Sequence, residues 1–167
     1  MGLSHVCMSG QPQIPGKAEQ RLDKNYTYEE LLKIVAELRS DHGCPWDKAQ
    51  THESMIKCLR DECEEVVQAI ENKDDENLCE ELGDVLLQVL MHSQIAAEEG
   101  RFTMEDVVNG LAAKLVRRHP HVFGGETAVT PEEGLARWEA IKKLEKEERA
   151  RRKEAGNGYY FEKDDDR

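Results

Sequence analysis

The sequence predicts an all-α fold, a helical bundle of four to five helices, and three observations predict it. Apolar residues recur at helical spacing along most of the chain. No segment alternates with the two-residue period of a strand, and aromatic residues are only 5% of the 167. Hydrophobic residues at 38% and charged residues at 35% fit a thin core inside a charged exterior.

Each element has a local reason. Residues 1–24 carry Gly, Gln, Pro and Lys without periodicity and read as a flexible arm. Thr27 and Glu30 make a capping-box pattern ahead of Leu31, Leu32, Val35 and Leu38, so a first helix is expected to about Ser40. Gly43 and Pro45 break a loop at 41–50. A second helix is expected from Thr51, as its N-cap, to about Glu71. Asp74 caps a third, which Gly100 stops. Thr103 with Asp106 opens a fourth, which Pro120 ends. After a loop at 119–130, Thr130-Pro131-Glu132-Glu133 starts a fifth, expected to fray before Gly156. The expected organisation is an arm at 1–24, one domain at 25–150 and a charged tail at 151–167.

Composition narrows the partners. Twenty-three basic against 35 acidic residues leave a net charge of −12, which argues against nucleic acid and anionic membrane surfaces. No apolar run reaches the about 18 residues of a membrane span, and the first residues lack the basic-then-apolar pattern of a leader. Cysteines at 7, 44, 58, 63 and 79 are odd in number and form no CxxC pair, so reduced thiols and a cytoplasmic setting are expected. A small phosphorylated ligand remains compatible, because a bound cation reverses the local field.

The chemistry lies where the apolar pattern breaks. The stripe Met55, Leu59, Val66 and Ile70 asks for an apolar residue at 62, where the chain places Glu62, with Glu65 one turn on. From Leu82 to Met91 the third helix is apolar nearly all round and is expected to be buried, yet it holds Asp84, with Glu81 one turn earlier. Burying one unpaired carboxylate costs roughly several kcal/mol. Basic neighbours are few: Lys57 and Arg60 precede the acids and Lys73 follows. An i, i+3 acidic pair on one helix is usually a solvated face. Two such pairs on consecutive helices, each intruding into an apolar stripe, favour a divalent cation. Oxygen donors alone suit a hard ion, Mg²⁺ or Mn²⁺.

Four blocks, CPWDKAQTHES (44–54), DECEE (61–65), EELGDVLLQV (80–89) and RRHPHVFG (117–124), resemble the MazG nucleotide pyrophosphohydrolases of the all-α NTP pyrophosphatase superfamily. The family signature, EExxE and then ExxD, is matched by Asp61 to Glu65 and by Glu81 to Asp84. Asp61 departs from the usual Glu, and this chain has one copy where many relatives have two. The resemblance implies hydrolysis of a nucleoside triphosphate between the α and β phosphates, giving monophosphate and pyrophosphate. It implies Mg²⁺ held by Glu62, Glu65, Glu81 and Asp84, and substrate binding by Lys114, Arg118 and Trp138. The chemistry is in-line attack of an activated water on the α-phosphorus; Asp61 and Glu80 are both candidates to orient that water.

Other residues carry plainer expectations. His92 is expected to be a hydrogen-bonded core histidine, and His119 and His121 to brace a turn. Trp46 reads as a core or interface residue. Cys58, Cys63 and Cys79 read as packing residues, and Gly83 as a point of close helix approach. The apolar third helix exceeds what so short a bundle covers, so a homodimer is expected. Two alternatives stand beside the enzyme: a helical interaction protein whose acidic groove takes a basic partner, and a relative specialised for one nucleotide such as dUTP. A di-iron bundle wants Glu-x-x-His pairs, and neither acidic helix has one.

Overall fold

The computed structural model describes residues 25–125 and 130–156. The arm expected at 1–24 and the end of the charged tail lie outside those residues. Among the described residues all regular structure is helical: α1 Tyr28–Leu38, α2 Pro45–Lys48, α3 Ile56–Asn72, α4 Asp75–Glu98, α5 Met104–Arg118, α6 Pro120–Phe123 and α7 Pro131–Glu154. None is long and apolar enough to cross a membrane. Residues 151–154, expected as tail, continue α7.

The helix starts follow local chemistry. Thr27 and Glu30 close a reciprocal capping box on α1, and Thr103 and Asp106 close another on α5. Asp74 accepts from the Asn77 amide at 3.1 Å, and Thr130 accepts from the Glu133 amide at 3.2 Å. Gly100, at φ 67°, follows the end of α4. One start was misplaced. Thr51 does bond reciprocally with Ser54, but this closes a separate turn, and α3 begins five residues later, at Ile56. The loop at 41–50 also contains α2, because Pro45 is pre-set for a first helical turn. Pro120 ends α5 and opens α6 in the same way.

Residues 73–74, with Lys73 left-handed at φ 57°, turn the chain so that α3 returns against α4 as the most extensive helix pair. The core is small: Val35, Met55, Leu90, Met91 and Ile95, with Leu31, Leu32 and Met104 packed on it. Buried Arg39 ties its rim together. Its Nε and NH2 donate to the Glu98 carboxylate at 3.0 and 2.8 Å, and its NH1 donates to the Asp47 and Gln50 carbonyls.

Burial corrects several expectations. α4 is not buried all round in the single chain: Leu82, Leu86, Leu87 and Val89 are exposed. Gly83 sits on that open side, where an added Cβ would touch nothing, so it marks no close approach. Ile70 is 57% exposed and Ala69 takes its place in the buried line, because 3.6 residues per turn carry the stripe from 66 to 69. Trp46 is 64% exposed and lies outside the core. Cys63 and Cys79 are exposed, so they do not pack in the interior, and the four described cysteines are free thiols.

Candidate metal centre

The α3–α4 pair brings three of the four expected acids together. One carboxylate oxygen each from Glu62, Glu81 and Asp84 lie within 4.8 Å of one another, all half-buried. Carboxylates gathered this closely could converge on one hard divalent ion. Glu65 is not in that mutual group. It lies close enough for its charge to help push the Glu81 carboxyl up, and sits beside the three as a fourth acid.

The electrostatics suit the donor set of a cation. Desolvation, then the charges of Asp84, Glu65 and Glu81, pushes the Glu62 carboxyl above its ordinary range. Desolvation, then Glu65 and Asp84, pushes Glu81 up likewise. Among the described residues no Lys or Arg forms an ion pair with Glu62, Glu81 or Asp84. Half-buried oxygens that repel one another and lack a cationic partner fit a hard divalent cation.

The remaining expected residues fall into separate groups. Asp61 is ion-paired with Lys57 one turn earlier on α3, which holds the Lys57 ammonium above its ordinary range. Glu80 is exposed beside Glu81. Arg118 and Trp138 meet between α5 and α7, with the guanidinium carbon 5.1 Å from the ring centroid. Arg118 also donates to Glu145 through Nε at 2.8 Å, as Arg117 does at 2.6 Å. Burial alone would raise the Glu145 carboxyl, but the hydrogen bonds from Arg118 and Arg117 prevail and lower it. Lys114 is half-buried one turn before Arg118. Trp138 lines a cleft of about 460 Å³ with His119, His121 and Leu135.

His92 has the partner expected of it: its Nδ1 lies 2.7 Å from Nδ1 of His52. Burial, then His52, lowers its pKa. His119 Nδ1 lies 2.6 Å from the Leu115 carbonyl across the end of α5, as a turn brace would. His121 Nδ1 is buried without a partner. Absent from the sequence reading is Gln88, which is 5% exposed with its Oε1 buried and unpartnered. The signal exists in the sequence, since Gln88 interrupts the apolar run one turn after Asp84.

A helical hairpin that brings three half-buried carboxylates together defines an all-α protein with a candidate metal centre, and the known proteins narrow the class. A family model described as MazG nucleotide pyrophosphohydrolase domain matches residues 50–123. A crystal structure of a mazG-related protein from Thermotoga maritima aligns at TM-score 0.58 and 32% identity, covering 69% of this chain and 98% of that one. This chain belongs to the MazG family. It is 53% identical over 119 residues to the nucleoside triphosphate pyrophosphohydrolase/pyrophosphatase MazG of Thermotoga maritima, covering 71% of this chain and 45% of that protein. It is 46% identical over 121 residues to the nucleoside triphosphate pyrophosphohydrolase of Escherichia coli, covering 72% and 46%. It is 47% identical over 133 residues to the uncharacterized protein YabN of Bacillus subtilis, covering 80% and 27%. The chain thus spans half or less of the length of these curated relatives.

Proposed function

We propose that this chain hydrolyses nucleoside triphosphates between the α and β phosphates, releasing nucleoside monophosphate and pyrophosphate, with Mg²⁺ as cofactor and Mn²⁺ as a substitute. The observation that carries this reading is the convergence of Glu62, Glu81 and Asp84 from two helices onto one point without a cationic partner. The family membership and the printed names of the relatives support the substrate class.

Glu62, Glu81 and Asp84 would hold the cation, with Glu65 beside them as the fourth acid of the set. Bound there, Mg²⁺ supplies charge neutralisation for the triphosphate and polarisation of the α-phosphorus. The protein's residues do the rest. Asp61 or Glu80 accepts the proton of the attacking water as its oxygen bonds the α-phosphorus. The bond to the oxygen bridging the α and β phosphates breaks, and pyrophosphate leaves. Lys114 and Arg118 meet the phosphates; Arg118 NH1 is not used in its bonds to Glu145. Trp138, held by cations on its ring, offers a face in its cleft for the nucleoside.

The working form in this reading is a cytoplasmic homodimer. Leu82, Leu86, Leu87 and Val89, with Gly83 leaving room beside them, make an exposed apolar face on α4 that a second copy would cover. Light scattering at micromolar concentration should give twice the 19.1 kDa chain mass, and a monodisperse monomer would refute the dimer.

A panel of triphosphates incubated with Mg²⁺ tests the activity. Monophosphate plus pyrophosphate is the expected product pair, and diphosphate plus phosphate would overturn the bond assignment.

A further inference from the structure

Gln88 is the one buried polar residue of the α3–α4 pair with no accounted purpose. It is 5% exposed, and its carbonyl oxygen is fully enclosed without a hydrogen bond. An apolar residue of its size would remove that deficit, since leaving a buried acceptor unpaired is costly to the fold. Its place in the helix gives the reason for keeping it. Gln88 follows Asp84 at i+4, so both stand on one face of α4. Helical side chains lean toward the helix N-terminus and cover the preceding turn. That lean directs the Gln88 side chain toward the turn that presents Asp84, one of the carboxylate trio.

We propose that Gln88 is a binding residue of this site, its side-chain amide rotating out of its enclosure so that Oε1 accepts a hydrogen bond from a donor that arrives with the occupant. This rests on the pyrophosphohydrolase reading above. The acids supply charge but no discrimination, whereas a neutral buried acceptor selects for an O–H or N–H at one point. Two sources carry such a donor: water brought by the cation, because Mg²⁺ keeps part of its hydration, and the hydroxyl or base N–H groups of the nucleotide.

The test compares wild type with Gln88→Met and Gln88→Leu, both near its size and without an acceptor of comparable strength. Without ligand, both variants should melt a few degrees above wild type, because the orphaned oxygen is gone. Occupancy should show the reverse. Calorimetric titration with Mg²⁺ alone, and then with Mg²⁺ plus a triphosphate whose α–β bridge is non-hydrolysable, should show about tenfold weaker binding in the variants, the worth of one hydrogen bond. A loss already present with Mg²⁺ alone assigns the donor to water; a loss confined to the nucleotide arm assigns it to the nucleotide. Variants that melt below wild type, or that bind both probes as tightly, overturn the proposal. Wild-type protein that binds neither probe would refute the pyrophosphohydrolase reading itself, a result distinct from an unchanged affinity in the variants.

Discussion

The two ends of α4 hold carboxylates in opposite states. Near its start, Glu81 faces other acids across the α3–α4 seam, and desolvation with like charge raises its pKa. Near its end, Glu98 receives three hydrogen bonds from Arg39 and one from Gln94 at 3.1 Å, and its pKa is lowered. The same helix thus carries an acid the fold has satisfied and an acid it has left among like charges. The satisfied end anchors the core rim; the unsatisfied end holds like charges together at a cost to stability. Acidity alone therefore does not mark a site. The partner set does.

The sharpest way to break this contrast is to neutralise the unsatisfied end. Glu62→Gln and Asp84→Asn should each lower turnover by roughly a thousandfold, the scale of several kcal/mol of lost metal assistance. Both should also abolish the rise in melting temperature with Mg²⁺ while keeping wild-type helicity. Turnover at the wild-type rate in either variant would remove the metal-ligand assignment.

The satisfied end should break differently. Arg39→Met strands Glu98 and the carbonyls of Asp47 and Gln50. Stability should fall by about 2–3 kcal/mol in denaturant titration, less than for a fully buried pair because the Glu98 side chain is 37% exposed. A loss under about 0.5 kcal/mol would show that Arg39 is no anchor.

Acid titration separates the ends by sign. The native state binds protons at Glu62 and Glu81 more tightly than the unfolded chain, so their contribution falls as pH rises from the ordinary carboxylate range to their raised values. For Glu98 the lowered pKa gives stability that is present above the ordinary range and lost as pH falls through the lowered value. In metal-free buffer, the melting advantage of Glu62→Gln over wild type should be near zero below the ordinary carboxylate range and grow as pH rises through the raised value. A pH-independent difference would contradict the raised carboxyl.

The smallest effect belongs to a surface pair on the same seam. Lys57→Ala removes the partner of Asp61, and both side chains are well exposed. Thermal melts should show almost no change in stability, and a clear loss would mean that the pair is structural.

Much of this was legible in the chain. Caps at Thr27, Asp74, Thr103 and Thr130 act within one turn, so the residues that make them are adjacent in sequence. Thr51 misled because its reciprocal bond with Ser54 closes an isolated turn as readily as it starts a helix. The sequence by itself determined that the protein is helical, and that acids interrupt the apolar faces of two consecutive helices. Only tertiary structure decided which acids meet: Glu62, Glu81 and Asp84 converge, with Glu65 beside Glu81. It also decided that Gln88 is enclosed, that Arg39 rather than a metal answers Glu98, and that α4 keeps an uncovered apolar side. The physical reason is rotational. Helical periodicity tells which residues share a face, but the direction that face takes is set by how two helices pack, over separations no local pattern spans.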